Sequence, residues 1–386
     1  MEQIYLDHVT SAPPSAAVVQ AMLPFLGARF ANASSPTGRG ADARAAIEEA
    51  RAAVALLSSA PPEEIIFTGS ASESNNLAIK GIVRARGTPG GHLIAAATEH
   101  TSVLHPLRTL SRSGYRVTLL PVNGDGRVDP GRLASALTSE TLLVTIAHAS
   151  GEIGTLQPIR ELCRVAHARG VPVHCDRAVT TGLVPIPHGE DSPDLVTLSP
   201  NPIGGPQGIA ALRIRKGIRV APLIEGGVQE GGLRAGTEAV ALVAGFGAAA
   251  RGAAGGMEAH IGRWTALAHR LRILLVEGLD GITFTGHPEI RLPGHLSLCL
   301  RGIEAEALLR ALDDRGLEAT SGSPCTTEVF KISHVLQAID IDPVLARGAL
   351  VLSFGSLSRP EDPDRAAEIL SGVVSRLRAL SPLPSD

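Results

Sequence analysis

The chain has 386 residues, 44% hydrophobic and 19% charged, with a net charge of −3. That length suggests two or three domains at ~150 residues each, and the composition excludes a disordered or fibrous polypeptide. So small a charge supplies no broad field for nucleic acid or an anionic membrane, and neither is expected as a partner.

The N-terminal stretch Met1 to Asp7 is acidic and runs directly into strand-like sequence, so no signal peptide is expected. From about residue 60, short β-branched runs alternate with longer amphipathic stretches. Strands are predicted at 64–68, 92–97, 115–120, 142–146, 171–175, 195–198 and 209–212. Helices are predicted at 74–86 and 159–169 between them. Repeated β–α units with apolar strands imply an α/β fold, a mainly parallel sheet covered by helices on both faces. The longest apolar run, 239–250, is shorter than the ~20 residues of a membrane span. A small-residue break at 252–256 precedes a long amphipathic helix at 257–279. The expected division is a large domain at 15–252 and a smaller α+β domain made of 253–386 with 1–14.

Two residue types are scarce. Of 35 basic residues only three are lysines, Lys80, Lys216 and Lys331. The four cysteines, Cys163, Cys175, Cys299 and Cys325, show no CxxC spacing. Neither a disulfide framework nor a zinc knuckle is indicated, and a reduced, cytoplasmic protein is expected.

Four constellations can carry chemistry. Thr68-Gly69-Ser70-Ala71-Ser72-Glu73-Ser74-Asn75-Asn76 joins a strand end, a small-residue turn and a helix start. Such a turn can cradle a phosphate on backbone N–H groups and hydroxyls, and it equally suits an ordinary helix cap. Thr98-Glu99-His100 puts an imidazole after a strand, where it can stack on a ring, shuttle protons or serve structure alone. His174-Cys175-Asp176 puts an acid at a strand's C-terminal end, where ligands of open α/β sheets gather; a capping role is the other reading. Ser321-Gly322-Ser323-Pro324-Cys325-Thr326-Thr327 is a turn-rich loop whose thiol can act as a nucleophile or metal ligand, or do neither.

None of these is specific singly, but their order is. With Tyr5-Leu6-Asp7, Glu152-Ile153-Gly154, Gly205-Pro206-Gln207-Gly208 and Gly232-Leu233-Arg234-Ala235-Gly236-Thr237, they follow one another as in the NifS/IscS-type cysteine desulfurases. The chain resembles that family from about Ile4 to Leu380. The resemblance implies the fold type I, class V aminotransferase architecture, pyridoxal phosphate (PLP) as cofactor and a homodimer. It implies that Ser70, Ala71, Ser72 and Ser199 cradle the cofactor's phosphate, with Thr237 reaching in from the neighbouring subunit. His100 would stack on the ring and Asp176 would pair with its nitrogen. Cys325 would carry sulfur as a persulfide, serve as a cluster ligand, or hand sulfur to an acceptor or iron–sulfur scaffold protein.

The pattern then breaks. Where the family reads Ser-Gly-His-Lys, this chain reads Ser199-Pro200-Asn201-Pro202. The family lysine forms the Schiff base with PLP, and a proline has no amine to offer. Val351 stands where the resemblance implies the arginine for the substrate carboxylate, and Val179 where a glutamine bonds the cofactor. Ser150-Gly151 replaces an Asn-Asn pair, and His8 and Thr10 alter a segment that lines the substrate pocket. Three readings follow. The first is a homologue without standard PLP catalysis that acts through Cys325. The second is an enzyme holding PLP non-covalently, or another ligand in the same cleft. The third is a desulfurase in which Lys331 substitutes for the lost lysine.

Overall fold

The computed structural model describes residues 3–86, 89–322 and 332–380. A short strand β1 (Ile4–Tyr5) precedes helices α1 (Ala16–Leu26) and α2 (Gly38–Leu56). Then follow β2 (Ile65–Thr68), α3 (Ala71–Arg86), β3 (His92–Ala96), α4 (Thr101–Arg112) and β4 (Arg116–Leu120). Next come α5 (Pro130–Ala136), β5 (Thr141–Thr145), α6 (Ile159–His167), β6 (Val173–Asp176), β7 (Leu195–Leu198) and β8 (Ala210–Ile214). Two long helices, α7 (Val240–Ala254) and α8 (Met257–Gly278), lead to β9 (Ile282–Phe284), β10 (His295–Leu300), α9 (Ala305–Asp313) and β11 (Leu317–Glu318). The last elements are α10 (His334–Ala338), α11 (Pro343–Ala346), β12 (Ala349–Ser353) and α12 (Asp362–Leu380).

Seven strands form one sheet in the order β2-β8-β7-β6-β5-β3-β4. The run from β7 to β4 is parallel, and β8 is antiparallel to both its neighbours. This is the mainly parallel, helix-covered sheet that the apolar strands imply. Strands β3, β5, β6 and β7 are buried at every position, as strands covered on both faces must be. Only β4, at the edge, exposes part of its length. Leu77, Ile79 and Ile82 of α3 pack with Leu93 and Leu143 on one side. Ile47 and Val54 of α2 pack with Val196, Ala211 and Phe246 on the other.

Strand positions agree with the sequence reading to within two residues. One shift has a local cause: β6 begins at Val173 rather than at Val171, because Pro172 lacks an N–H and joins only as an acceptor, to Val144 N at 3.1 Å. A second hydrophobic core gathers Ile4, Leu6, Trp264, Leu271, Leu298, Leu352 and Leu370 around the antiparallel sheet β12-β10-β9. Helix α7 meets α8 at a bend of 77°. Among the described residues no single helix is long and apolar enough to cross a membrane.

Candidate active site

A cleft of about 1100 Å³ opens at the C-terminal edge of the parallel strands. Ligands of open α/β sheets bind at this edge, where loops and helix N-termini converge. Its wall holds Ser70, Ala71, Ser72, His100, Asp176 and Ser199, brought together from four separate stretches of chain. Thr237 is exposed and not on this wall. Cys325 and Lys331 lie outside the described residues.

The anion-cradle candidate is built by a helix start. Ser70 Oγ accepts from Glu73 N at 3.1 Å, and Glu73 Oε2 reaches back to accept from Gly69 N at 2.7 Å. This is the reciprocal arrangement that a serine followed three residues later by glutamate sets up, and it starts α3 at Ala71, three residues before the predicted start. A Cβ at Gly69 would sit 2.8 Å from that carboxylate oxygen, so a larger residue there would displace the Glu73 side chain from its bond. Glu73 also accepts from Arg234 Nε at 3.0 Å, tying the 232–237 segment to the turn. The N–H groups of Ala71 and Ser72 stay unused within the described residues, at the positive end of a 16-residue helix.

Asp176 ends β6 and is 6% exposed. Its Oδ1 accepts from Ala178 N at 2.8 Å and its Oδ2 from Asn75 Nδ2 at 2.7 Å. Asn75 Nδ2 also donates to Ser102 Oγ at 2.8 Å, beside His100. His100 caps α4: its Nδ1 accepts from Ser102 N at 3.1 Å, which leaves the proton of a neutral ring on Nε2. The buried carboxylate and the imidazole are thus held by one hydrogen-bonded group centred on Asn75.

Several cleft residues escape sequence reading. Glu99 is fully buried, and burial pushes its carboxyl well above the usual range, with the Asp176 charge adding to the effect. It accepts from Ala147 N at 2.8 Å, while His334 Nε2 donates to its carbonyl at 2.9 Å. Burial pushes Glu152 up to about 7, against the opposing bond from Ser333, whose Oγ donates to its carboxylate. Ser333 also caps α10 by accepting from Val335 N and Leu336 N. Arg108 and His105 line the cleft from the exposed side of α4. Glu99 stands directly before His100, and its own sequence carries no sign of its burial. The Glu152–Ser333 pair spans 181 residues and has no local signature.

Pro202 lies in a single 3₁₀ turn, Asn201–Ile203, just past β7. Its ring borders a second cavity rather than the cleft wall. Ser199 Oγ accepts from Asn201 N at 3.3 Å, and Asn201 Nδ2 donates to Thr10 O at 3.2 Å. Neither Lys80, on α3, nor Lys216, exposed past β8, reaches the cleft wall. Val179 and Gly151 present no polar side-chain atom to the cleft, and Val351 is buried within β12 beside Gly322.

The family model for class-V aminotransferases matches residues 4–364. A cysteine desulfurase IscS of Dictyoglomus turgidum is 38% identical, over 100% of this chain and 98% of its own length. Cysteine desulfurase IscS 1 of Archaeoglobus fulgidus is 38% identical over 98% of this chain and 99% of its own. Among solved structures, a NifS-like protein superposes with a TM-score of 0.91 at 28% identity, covering 97% of this chain and 100% of that one. SspA in complex with cysteine superposes at 0.79 with 31% identity, over 91% of this chain and 98% of that one. The chain belongs to the class-V aminotransferase family, among the homologues of the IscS/NifS cysteine desulfurases.

Proposed function

We propose that this chain does not run the standard PLP-dependent release of sulfur from cysteine. It acts instead through Cys325 as a sulfur-relay, iron–sulfur-related or partner-binding homologue of the cysteine desulfurases. The observation that carries this reading is Pro202: the turn after β7 offers no amine, and neither described lysine lines the cleft. Loss of the arginine, glutamine and asparagine side chains at Val351, Val179 and Gly151 belongs to the same reading, because all three would serve the cofactor or the substrate carboxylate.

The cleft still suits a phosphorylated pyridine held without a covalent bond. Ser70, Ala71, Ser72 and Ser199 would hold the phosphate, Asp176 would face the ring nitrogen and His100 the ring, with Thr237 serving the neighbouring subunit of a homodimer. Bound there, PLP supplies an electron sink for carbanion chemistry. The residues of this chain supply binding and orientation. Asn75 fixes the Asp176 carboxylate, and the first turn of α3 offers two N–H groups to an anion. This retained cradle supports the second reading, a non-covalent PLP enzyme acting on a substrate without a cysteine-like carboxylate. A cytoplasmic setting and a protein sulfur acceptor complete the proposal, in keeping with relatives named cysteine desulfurase IscS.

The test is sulfide release from L-cysteine by the purified protein, with PLP added and a reductant present. We expect none above a protein-free control. Sustained release that Lys331→Ala abolishes would replace the proposal with the Lys331 reading. Loss of sulfur-transfer or partner binding in Cys325→Ala is the expected second result, and a variant equal to the parent in both would remove the role of Cys325.

A further inference from the structure

Behind Pro202 lies a second chamber of about 490 Å³, between the α7 side of the large sheet and the core around β10 and β12. Pockets of ~300–1,000 Å³ are the usual size for small-molecule ligands. Its wall is mainly apolar, with Ile203, Ala248, Ala249, Trp264 and Phe354 alongside Pro202. Val9 and Val179 stand on the walls of both spaces, and a Cβ placed at Gly151 would sit 3.7 and 3.5 Å from their methyl groups. The partition between chamber and cleft is therefore apolar as well.

The chamber's polar groups narrow the choice of occupant. Among the described residues no carboxylate lies on its wall. His8 is neutral and satisfied, with Nδ1 donating to Ser353 O at 3.0 Å and Nε2 accepting from Leu357 N at 3.3 Å. His295 is likewise committed, donating from Nε2 to Gly151 O at 2.9 Å and accepting at Nδ1 from Arg291 at 3.2 Å. Burial holds the His295 ring at about 3, so it carries no charge near neutrality. The other ionisable groups among the described lining residues are Arg263 and His260, both exposed on the first turns of α8. Arg263 makes one long bond, from Nη2 to Ser358 O at 3.3 Å, and no described carboxylate pairs with it. A mainly apolar chamber with one fixed cation among its described lining residues, Arg263 at the rim, is complementary to an apolar acid.

We propose that the chamber behind Pro202 binds a small monocarboxylic acid with an apolar chain or ring, the body inside and the carboxylate on Arg263. The site is separate from the anion cradle at Ser70 to Ser72 and does not depend on whether PLP binds there. The test is calorimetric titration of the full chain with octanoate, and with octanamide as its uncharged counterpart. Saturable binding of octanoate is expected, with octanamide weaker by about tenfold. Arg263→Met, at an exposed position, should erase that preference while leaving the melting temperature unchanged. Ala248→Phe, half-buried on the chamber wall, should abolish binding of both. Absence of octanoate binding to the parent protein overturns the proposal. Equal octanoate affinity in Arg263→Met and the parent overturns it too, and this outcome decides the matter even if Ala248→Phe fails to fold.

Discussion

At the scale of single residues, a candidate binding frame around Asp176 stands against a proline, Pro202, in the turn after β7. Asp176 was legible because an acid ends an apolar strand at the ligand-binding edge of the sheet. Its partner Asn75 stands in the 68–76 stretch, yet their contact spans 101 residues and no local pattern reveals it. If that pair orients a pyridine-type ligand, Asp176→Ala should weaken non-covalent PLP binding by about tenfold or more in fluorescence titration. Unchanged affinity would remove Asp176 from the binding frame. Glu152 makes a separate prediction. Burial raises its folded pKa from 4.5 to about 7, so the folded state keeps a proton that the unfolded chain has already released. Its stabilising contribution is complete below about pH 4.5 and is lost as pH rises through about 7. Glu152→Gln keeps the contact with Ser333 without that titration. The variant should therefore gain on the parent by on the order of 2 kcal/mol in urea unfolding between pH 5 and 8. A pH-independent difference between the two would show that Glu152 does not titrate in this window.

At the scale of elements, hydrophobic period and punctuation carried most of the reading. The apolar runs at 92–97, 142–146 and 195–198 read as strands, and the structure has fully buried strands at 92–96, 141–145 and 195–198. Boundaries shifted where a side chain rather than a period decides them. Helix α3 starts at Ala71 because Ser70 and Glu73 close its first turn from both ends. Ser70→Ala should cost about 1 kcal/mol of stability through the lost cap. It should also weaken inorganic phosphate binding, read by competition with PLP. A variant that loses stability but binds phosphate as the parent does would assign Ser70 to the cap alone. The chamber behind Pro202 was not legible, since its wall draws on α7, α8, the N-terminal arm and the loop after β12.

At the scale of the whole molecule, the family frame and the local chemistry point in different directions. The fold follows the class-V aminotransferases across the chain, down to a TM-score of 0.91 with a NifS-like protein. Such agreement comes from the sheet, its helices and their cores, which many dispersed contacts determine and few substitutions disturb. Reactivity depends on single groups, and a fold comparison weighs Pro202 no more than any other residue. The most direct test of the account is the absorption spectrum of the purified protein with and without added PLP, followed by borohydride treatment and mass mapping. The account predicts that added PLP binds reversibly, washes out on gel filtration and leaves no reduced adduct on Lys80, Lys216 or Lys331. A stable coloured protein with a borohydride-fixed adduct on any one of those lysines would contradict it.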